Sequence, residues 1–330
     1  MSAADRSSAP DPGPPAPAPA RGLAALAVIA SDIKLAHSVF ALPFALLGAF
    51  LAATSPGGPL APEPGQPPQR WLFGWQLALV LVAMVSARTT AMLANRLVDR
   101  RIDARNPRTA HRAIPSGRLS AGTALAAMLA SGLVFVACCA GFRLLDGNEW
   151  PLSLALPVLL WIAAYGYLKR FTWLCHFWLG ISLGISPIAA ALAVSPESLG
   201  FLAPWFLGVA VACWVAGFDV IYALQDVEVD KAQRLRSLPA SWGVGPAMHA
   251  SRVLHVASIG LLVCVYLLDP SRSLGRIYVG AVALAAGVLL FDHLTIRREP
   301  GPRRIAMVMT LNGLVSLLVG GAGIADLLAG

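Results

Sequence analysis

Nine apolar runs, each close to the thickness of a bilayer, leave this chain very little choice of fold. They lie at about 35–53, 71–94, 121–142, 151–168, 173–194, 202–224, 253–268, 275–294 and 305–328. A helix needs roughly 20 residues to cross the hydrocarbon layer. Inside that layer a segment must satisfy its own backbone hydrogen bonds, which leaves helices and closed barrels. The runs are continuous and show no two-residue alternation, so they predict an all-α polytopic membrane bundle of about nine transmembrane helices. The run at 253–268 is short, and its helix is expected to start a few residues earlier. A soluble alternative fails on composition. The chain is 57% hydrophobic and 13% charged, against about 25% charged in ordinary soluble domains, and a soluble fold would expose large apolar patches.

The ends and loops follow from the same pattern. Residues 1–21, rich in Pro and Ala, read as a disordered cytoplasmic tail, and 22–330 as the transmembrane domain. The run Leu23–Ala30 is too short to span and leads into Ser31-Asp32-Ile33-Lys34, which suits an interfacial helix. Segment 54–70, with its Pro and Gly cluster, is a loop.

Charge sets the orientation. With the N-terminus inside, the inner loops carry seventeen Lys and Arg and the outer loops four. The positive-inside rule then places the N-terminus in the cytoplasm and the C-terminus outside, in an inner (cytoplasmic) membrane. A net charge of +8 could suggest nucleic acid, but the basic residues sit in short segments between spans, seven of them within 96–118, so no nucleic-acid partner is expected. The five cysteines all fall in apolar runs and form no C-x-x-C pair, as suits packing residues.

Two polar arrays stand out against this background. Asn95, Asp99 and Asp103 recur every four residues, as do Tyr222, Asp226 and Asp230, with Asp219 one turn before Tyr222. Residues four apart share a helix face, so each array is a stripe, and Arg88 extends the first stripe deeper into its run. Carboxylates at the membrane edge are expensive and mark function. Several on one face repel unless cations bridge them. Oxygen ligands without Cys or His select hard metals, which makes Mg²⁺ the natural choice. Mg²⁺ is commonly shared between carboxylates and phosphates, so two facing stripes could hold a diphosphate. The arginines Arg96, Arg105, Arg108 and Arg112 near the first array are candidate phosphate clamps. His37, near the inner end of the first run, is a candidate acceptor contact or a packing histidine. Each array lies at the inner end of a run and precedes a basic loop with a Pro/Gly turn, Pro115-Ser116-Gly117 in one case and Pro239 to Gly243 in the other. This weak repeat predicts two pseudo-repeats around a central cavity. Two other classes compete with an enzyme acting on a lipid diphosphate. One is an ion-coupled transporter, whose ligands should lie near the midplane in broken helices. The other is a structural membrane protein, which gives no reason for two metal-type arrays.

These residues resemble a known family. Asn95-Arg96-Leu-Val-Asp99-Arg-Arg-Ile-Asp103, followed by Asn106-Pro-Arg-Thr109 and Arg112-Ala-Ile-Pro115-Ser-Gly117, resembles the first signature of the UbiA superfamily of membrane aromatic prenyltransferases. Asp219-Val-Ile-Tyr222-Ala-Leu-Gln225-Asp226-Val-Glu-Val-Asp230 resembles the second. The segments around Pro43 and Tyr165-Gly-Tyr-Leu-Lys169-Arg170-Phe-Thr172 are similar too, so the resemblance spans about 30–328. It is strongest toward 4-hydroxybenzoate polyprenyltransferases. Ser86-Ala-Arg88-Thr-Thr-Ala-Met and Tyr222-Ala-Leu-Gln-Asp226 are similar to a branch that prenylates a naphthoate in menaquinone synthesis by the futalosine route.

The resemblance implies Mg²⁺-dependent transfer of a polyprenyl group from its diphosphate to a ring carbon of an aromatic acid, in ubiquinone or menaquinone synthesis. It implies Asp99, Asp103, Asp226 and Asp230 as metal ligands. Asn95, Arg96, Arg108, Arg112, Lys169 and Arg170 would bind the diphosphate, and Asp219, Tyr222 and Arg88 would act at the acceptor. Arg88 would pair with the acceptor carboxylate, Asp219 would place the acceptor or take the ring proton, and Tyr222 would orient the phenol or the diphosphate. One departure is visible. The family usually has a Gly at the loop bend after the second array, before Ser-x-Pro; here the stretch is Lys231-Ala-Gln-Arg234-Leu-Arg236-Ser237-Leu-Pro239.

Overall fold

The computed structural model describes residues 19–33, 40–298 and 301–330. The expected tail through residue 18, and His37, lie outside the described residues. Twelve α-helices follow in order: α1 (Gly22–Asp32), α2 (Leu42–Thr54), α3 (Arg70–Arg105), α4 (Ala121–Asp146), α5 (Trp150–Leu168), α6 (Cys175–Val194), α7 (Ala203–Ala223), α8 (Val227–Ala232), α9 (Leu238–Trp242), α10 (Val244–Leu268), α11 (Arg276–Arg298) and α12 (Pro302–Ala329). The described residues form no strand, only one isolated bridge between Gly58 and Ala61.

Among the described residues, eight segments are long and apolar enough to cross a membrane: α3 to α6, α7 together with α8, and α10 to α12. Nine were expected. The difference is the first run, whose described helix α2 starts after its N-cap Ala41 and has 13 residues. The protein is an integral membrane protein with the expected all-helical polytopic fold.

Local chemistry explains the boundaries. Pro occupies the first turn of α2, α5, α7 and α12, where its missing N–H costs nothing. The Ser120 hydroxyl accepts the Thr123 N–H and caps α4, and Gly147 closes that helix at φ +80°. As expected, α10 begins before its apolar run, at Val244, because its first turns mix polar residues into a helix-forming segment.

Helix α3 is the element that positions the site. At 36 residues it is about 54 Å long, against about 30 Å of hydrocarbon. Its last turns, with Asp99 and Asp103, therefore extend past the apolar layer. The second stripe is not one continuous α-helix, contrary to expectation. After α7 the chain makes a 3₁₀ turn at Leu224–Asp226 and restarts as α8. The tighter turn advances Asp226 relative to an α-helical stripe.

The main core gathers around α7. Leu207, Val211, Trp214, Val215 and Phe218 pack with Phe44 and Leu47 of α2 and Tyr278 of α11. Helices α6 and α7 meet backbone to backbone. A Cβ on Gly180 would lie 2.3 Å from the Ala212 carbonyl oxygen, and one on Gly184 2.4 Å from that of Gly208. Small residues four apart on each helix permit this approach, a common solution where lipid offers no hydrophobic drive for association. Gly184→Val is expected to destabilise the protein by about 3 kcal/mol or more, read as a lower melting temperature in detergent. An unchanged melting temperature would mean that this contact is not tight.

Candidate active site

The two arrays face one cavity of about 960 Å³ at the end of the bundle that carries the basic loops. Every expected site residue among those described lines it except Arg105 and Arg170. Met309, Gly313, Leu314 and Leu317 of α12 add an apolar part to its lining.

Each aspartate is held by a side chain brought from elsewhere in the chain. Asp99 and Asp103, near the end of α3, are almost fully buried. Asp99 pairs with Lys169 Nζ at 2.9 Å and with Arg170 Nη2 at 3.4 Å, both from the turn after α5. Both carboxylate oxygens of Asp103 accept from Arg112 Nη1 at 2.8 Å. Asp226 accepts two hydrogen bonds from Arg108, at 2.9 and 2.5 Å, and one from Asn106 Nδ2 at 3.1 Å. Arg108 Nη1 also donates to the Tyr222 hydroxyl at 2.9 Å, and its guanidinium lies 5.3 Å from that ring's centre. Burial pushes the Arg108 pKa down, but the bonds to Asp226 and Tyr222 outweigh it and the net direction is up. Arg108 thus stays cationic and ties the loop after the first array to the second array, 118 residues away. Asp230 accepts from the Ser237 hydroxyl at 2.6 Å.

Asp219 is served differently. Its Oδ2 lies 2.7 Å from His176 Nδ1, near the start of α6. His176 Nε2 accepts the Leu238 backbone N–H at 3.1 Å. With Nε2 occupied as an acceptor, the ring proton sits on Nδ1 and is donated to Asp219. His176 therefore joins Asp219 to the loop that also carries Ser237.

Arg88 has no carboxylate partner among the described residues, and its Nε is buried without an acceptor. It lies midway along α3, eleven residues before Asp99, or about 16 Å along the helix axis. Asn95 sits between them, against Gly166 of α5, where a Cβ would come within 2.9 Å of its Oδ1.

Three expected residues are placed otherwise than anticipated. Arg105, a candidate phosphate clamp, lines a neighbouring basic cavity and not the carboxylate one. Arg170 does not line the carboxylate cavity; it lines the same basic one while reaching back to Asp99. Arg96 reaches the cavity, but its Nε pairs with Asp32 Oδ2 at 3.0 Å, and Asp32 Oδ1 also accepts the Ala113 N–H at 2.7 Å. That buried pair anchors α1 across the first array's loop. Asp32→Ala is expected to cost about 3–5 kcal/mol, because it leaves Arg96 buried and unpaired. Thermal melting of the purified variant checks this.

Sequence reasoning missed His176, which is 43 residues from Asp219 and inside an apolar run with no motif around it. It also assigned no role to Asn106, Ser237 or Asp32, although each stood within or beside a quoted segment.

The donor set suits a hard divalent cation. All the candidate ligands are oxygens, and the four aspartates lie around one cavity. Among the described residues no three acidic, imidazole or thiolate groups are gathered at ligating distance. Mg²⁺ does not need such a cage, since it is commonly bound by one or two carboxylates with waters and phosphate oxygens completing its shell.

Known proteins resemble this one in sequence and fold. The family model described as the UbiA prenyltransferase family matches residues 41–314. The 4-hydroxybenzoate octaprenyltransferase of Pectobacterium atrosepticum is 30% identical over 241 residues, covering 69% of this chain and 78% of that one. The protein of the same name from Photobacterium profundum is 29% identical over 228 residues, 68% and 75% of the two chains. The apo structure of a UbiA homolog from Aeropyrum pernix K1 has a TM-score of 0.75 at 30% identity, covering 88% of this chain and 98% of that one. A UbiA homolog from Archaeoglobus fulgidus, solved with GPP and Mg²⁺, shares the fold at a TM-score of 0.64 and 19% identity, covering 91% and 99%.

Proposed function

The chain belongs to the UbiA prenyltransferase family, and from that premise we propose that it moves a polyprenyl group from its diphosphate to a ring carbon of 4-hydroxybenzoate or a related aromatic acid. The observation that carries this reading is one cavity lined by the four aspartates, by Arg88, whose Nε is buried without an acceptor, and by apolar side chains of α12. The 4-hydroxybenzoate octaprenyltransferase names of the relatives support the benzoate acceptor. The naphthoate acceptor of a menaquinone route has the same carboxylate for Arg88, so both belong in the test. The charge of the loops supports an active site open to the cytoplasm, in the inner membrane.

Asp99, Asp103, Asp226 and Asp230 would hold Mg²⁺, with Asn95 beside them. When bound, Mg²⁺ neutralises charge that develops on the diphosphate leaving group. The remaining work falls to the chain's own side chains. Lys169, Arg108 and Arg112, now paired with those aspartates, are the cations at hand to turn to phosphate oxygens, with Arg96 and Arg170 behind them. Met309, Leu314 and Leu317 keep water from an allylic cation as the C–O bond breaks. Arg88 fixes the acceptor by its carboxylate, with the guanidinium fork matching that group. The ring carbon attacks, and Asp219, held by the His176 Nδ1–H, is placed to take the ring proton. Tyr222, held by Arg108, orients the phenol or the diphosphate.

The test is prenyl transfer in purified membranes with a polyprenyl diphosphate, with and without Mg²⁺, using 4-hydroxybenzoate in one arm and the naphthoate in the other. Mg²⁺-dependent product in one arm assigns the acceptor. No product and no diphosphate release in either arm, from folded protein across several prenyl lengths, would reject the reading.

A further inference from the structure

A second cavity, of about 740 Å³, lies beside the carboxylate cavity between the last turns of α3, the end of α5 and the loop after α8. Arg100, Arg101, Arg105, Arg170 and Arg234 line it, and no acidic residue does. The contrast with the neighbouring cavity is sharp. There, Arg108, Arg112 and Lys169 each sit on an aspartate. Here, Arg100, Arg101, Arg105 and Arg234 form no ion pair among the described residues. Arg100 reaches only the Leu97 carbonyl. Arg170 donates through Nη2 to Val98 O at 2.7 Å and lies 3.4 Å from Asp99, but its Nε is buried without an acceptor.

The positive-inside rule accounts for arginines at this end of the bundle. It does not account for five of them converging on a concave surface that no acidic residue lines, four of them without an ion pair among the described residues, where they raise the potential for any anion that enters. Backbone geometry adds a separate observation. Arg234 holds φ +57°, in the left-handed region. A glycine would adopt that conformation freely, whereas a side chain is disfavoured there. The loop is pinned in this shape by the Leu235 N–H on Asp230 O at 2.7 Å and the Arg236 N–H on Lys169 O at 2.6 Å. A strained position that carries an arginine into a basic cavity suggests that the guanidinium is what the position is for.

We propose that this cavity is a second anion site, built for a phosphate group and separate from the carboxylate cavity. Guanidinium forks match phosphate oxygens bidentately. Two sources carry that chemistry at this level of the bundle. One is a soluble diphosphate outside the carboxylate cavity. The other is the headgroup of an anionic lipid, for which the exposed rings of Tyr167 and Phe171 beside the cavity provide the interfacial level. Arg170 lines this cavity and also reaches Asp99 at 3.4 Å, so an anion held here competes with Asp99 for the same guanidinium. The site does not depend on the transferase reading.

The experiment uses the full-length purified chain in EDTA, with two probes. Labelled inorganic diphosphate is measured by equilibrium dialysis. Short-chain phosphatidylglycerol is compared with phosphatidylcholine by the shift in melting temperature. The variants are the double substitution R101Q/R105Q, its charge-keeping counterpart R101K/R105K, and R234G. D226N reports on the carboxylate cavity. R234G relieves the left-handed strain, so it folds at least as well as wild type and separates lost binding from lost folding. We expect apparent affinity for at least one probe to fall about tenfold or more in R101Q/R105Q, to fall in R234G, to be partly kept in R101K/R105K, and to be unchanged in D226N. Loss in the diphosphate arm alone assigns a soluble anion, and loss in the lipid arm alone assigns a headgroup. No binding of either probe by wild type overturns the proposal. So does binding that survives R101Q/R105Q and R234G, or binding that disappears in D226N.

Discussion

Asp226→Asn is expected to lower prenyl transfer by about a hundred- to a thousandfold with little loss of folded protein. The reason lies in what the substitution keeps. Asparagine has the shape of aspartate, and its amide oxygen can still accept from Asn106 and Arg108, which hold Asp226 at 3.1 and 2.9 Å. The charge disappears, and with it the acceptor for Arg108 Nη2. Arg108 is about one-third exposed, so losing its ionic partner costs only about 1 kcal/mol. A weakened Mg²⁺ site shows as a higher Mg²⁺ concentration for half-maximal rate, measured alongside diphosphate release. If the rate fell with no change in Mg²⁺ dependence, Asp226 would act only by positioning Arg108, and its role as a metal ligand would be lost. If the rate did not fall, the second array would not belong to the active site.

Arg88→Ala separates binding from stability in the opposite sense. A charge in the middle of α3 with an unpartnered Nε destabilises the empty protein. Removing it should leave the melting temperature unchanged or raise it. The acceptor should bind far worse, because a charged hydrogen-bonded pair contributes about 1.5–3 kcal/mol. The KM for the aromatic acid is expected to rise by about a hundredfold, while the KM for the prenyl diphosphate stays near the wild-type value. A phenol without a carboxylate should be used equally by both proteins. An unchanged KM for the aromatic acid would remove Arg88 from the acceptor site. A fall in melting temperature would show that it has a structural partner instead.

Much of this site was legible because it is local. Four-residue spacing puts Asn95, Asp99 and Asp103 on one helix face whatever else the chain does. An aspartate at a membrane edge signals function wherever it occurs. The second array was read less well. Its spacing also fits one helix, but the chain breaks into a 3₁₀ turn at Leu224–Asp226, and nothing in the periodicity announces it. His176 was not legible at all. A lone histidine in an apolar run means little until the fold sets it 2.7 Å from Asp219. The missing loop glycine was visible as a departure. Only the backbone shows that Arg234 takes up the left-handed bend itself.

The chain alone thus determined the class of molecule, the order of its spanning segments, the end of the bundle that carries the two carboxylate arrays, and the residue types gathered there. Hydrophobic length, helical period and loop charge are properties of neighbouring residues, and they survive without knowledge of packing. Tertiary structure decided the partners. Arg108 crosses to Asp226 in the other half of the chain, Arg96 is spent on Asp32, Arg170 turns to a second cavity, and Arg88 is left with a buried nitrogen and no acceptor. Which cation meets which carboxylate depends on how helices far apart in sequence lie against one another, set here by contacts as close as Gly184 against the Gly208 carbonyl. That packing separates arginines bound to an aspartate from those left open to a ligand.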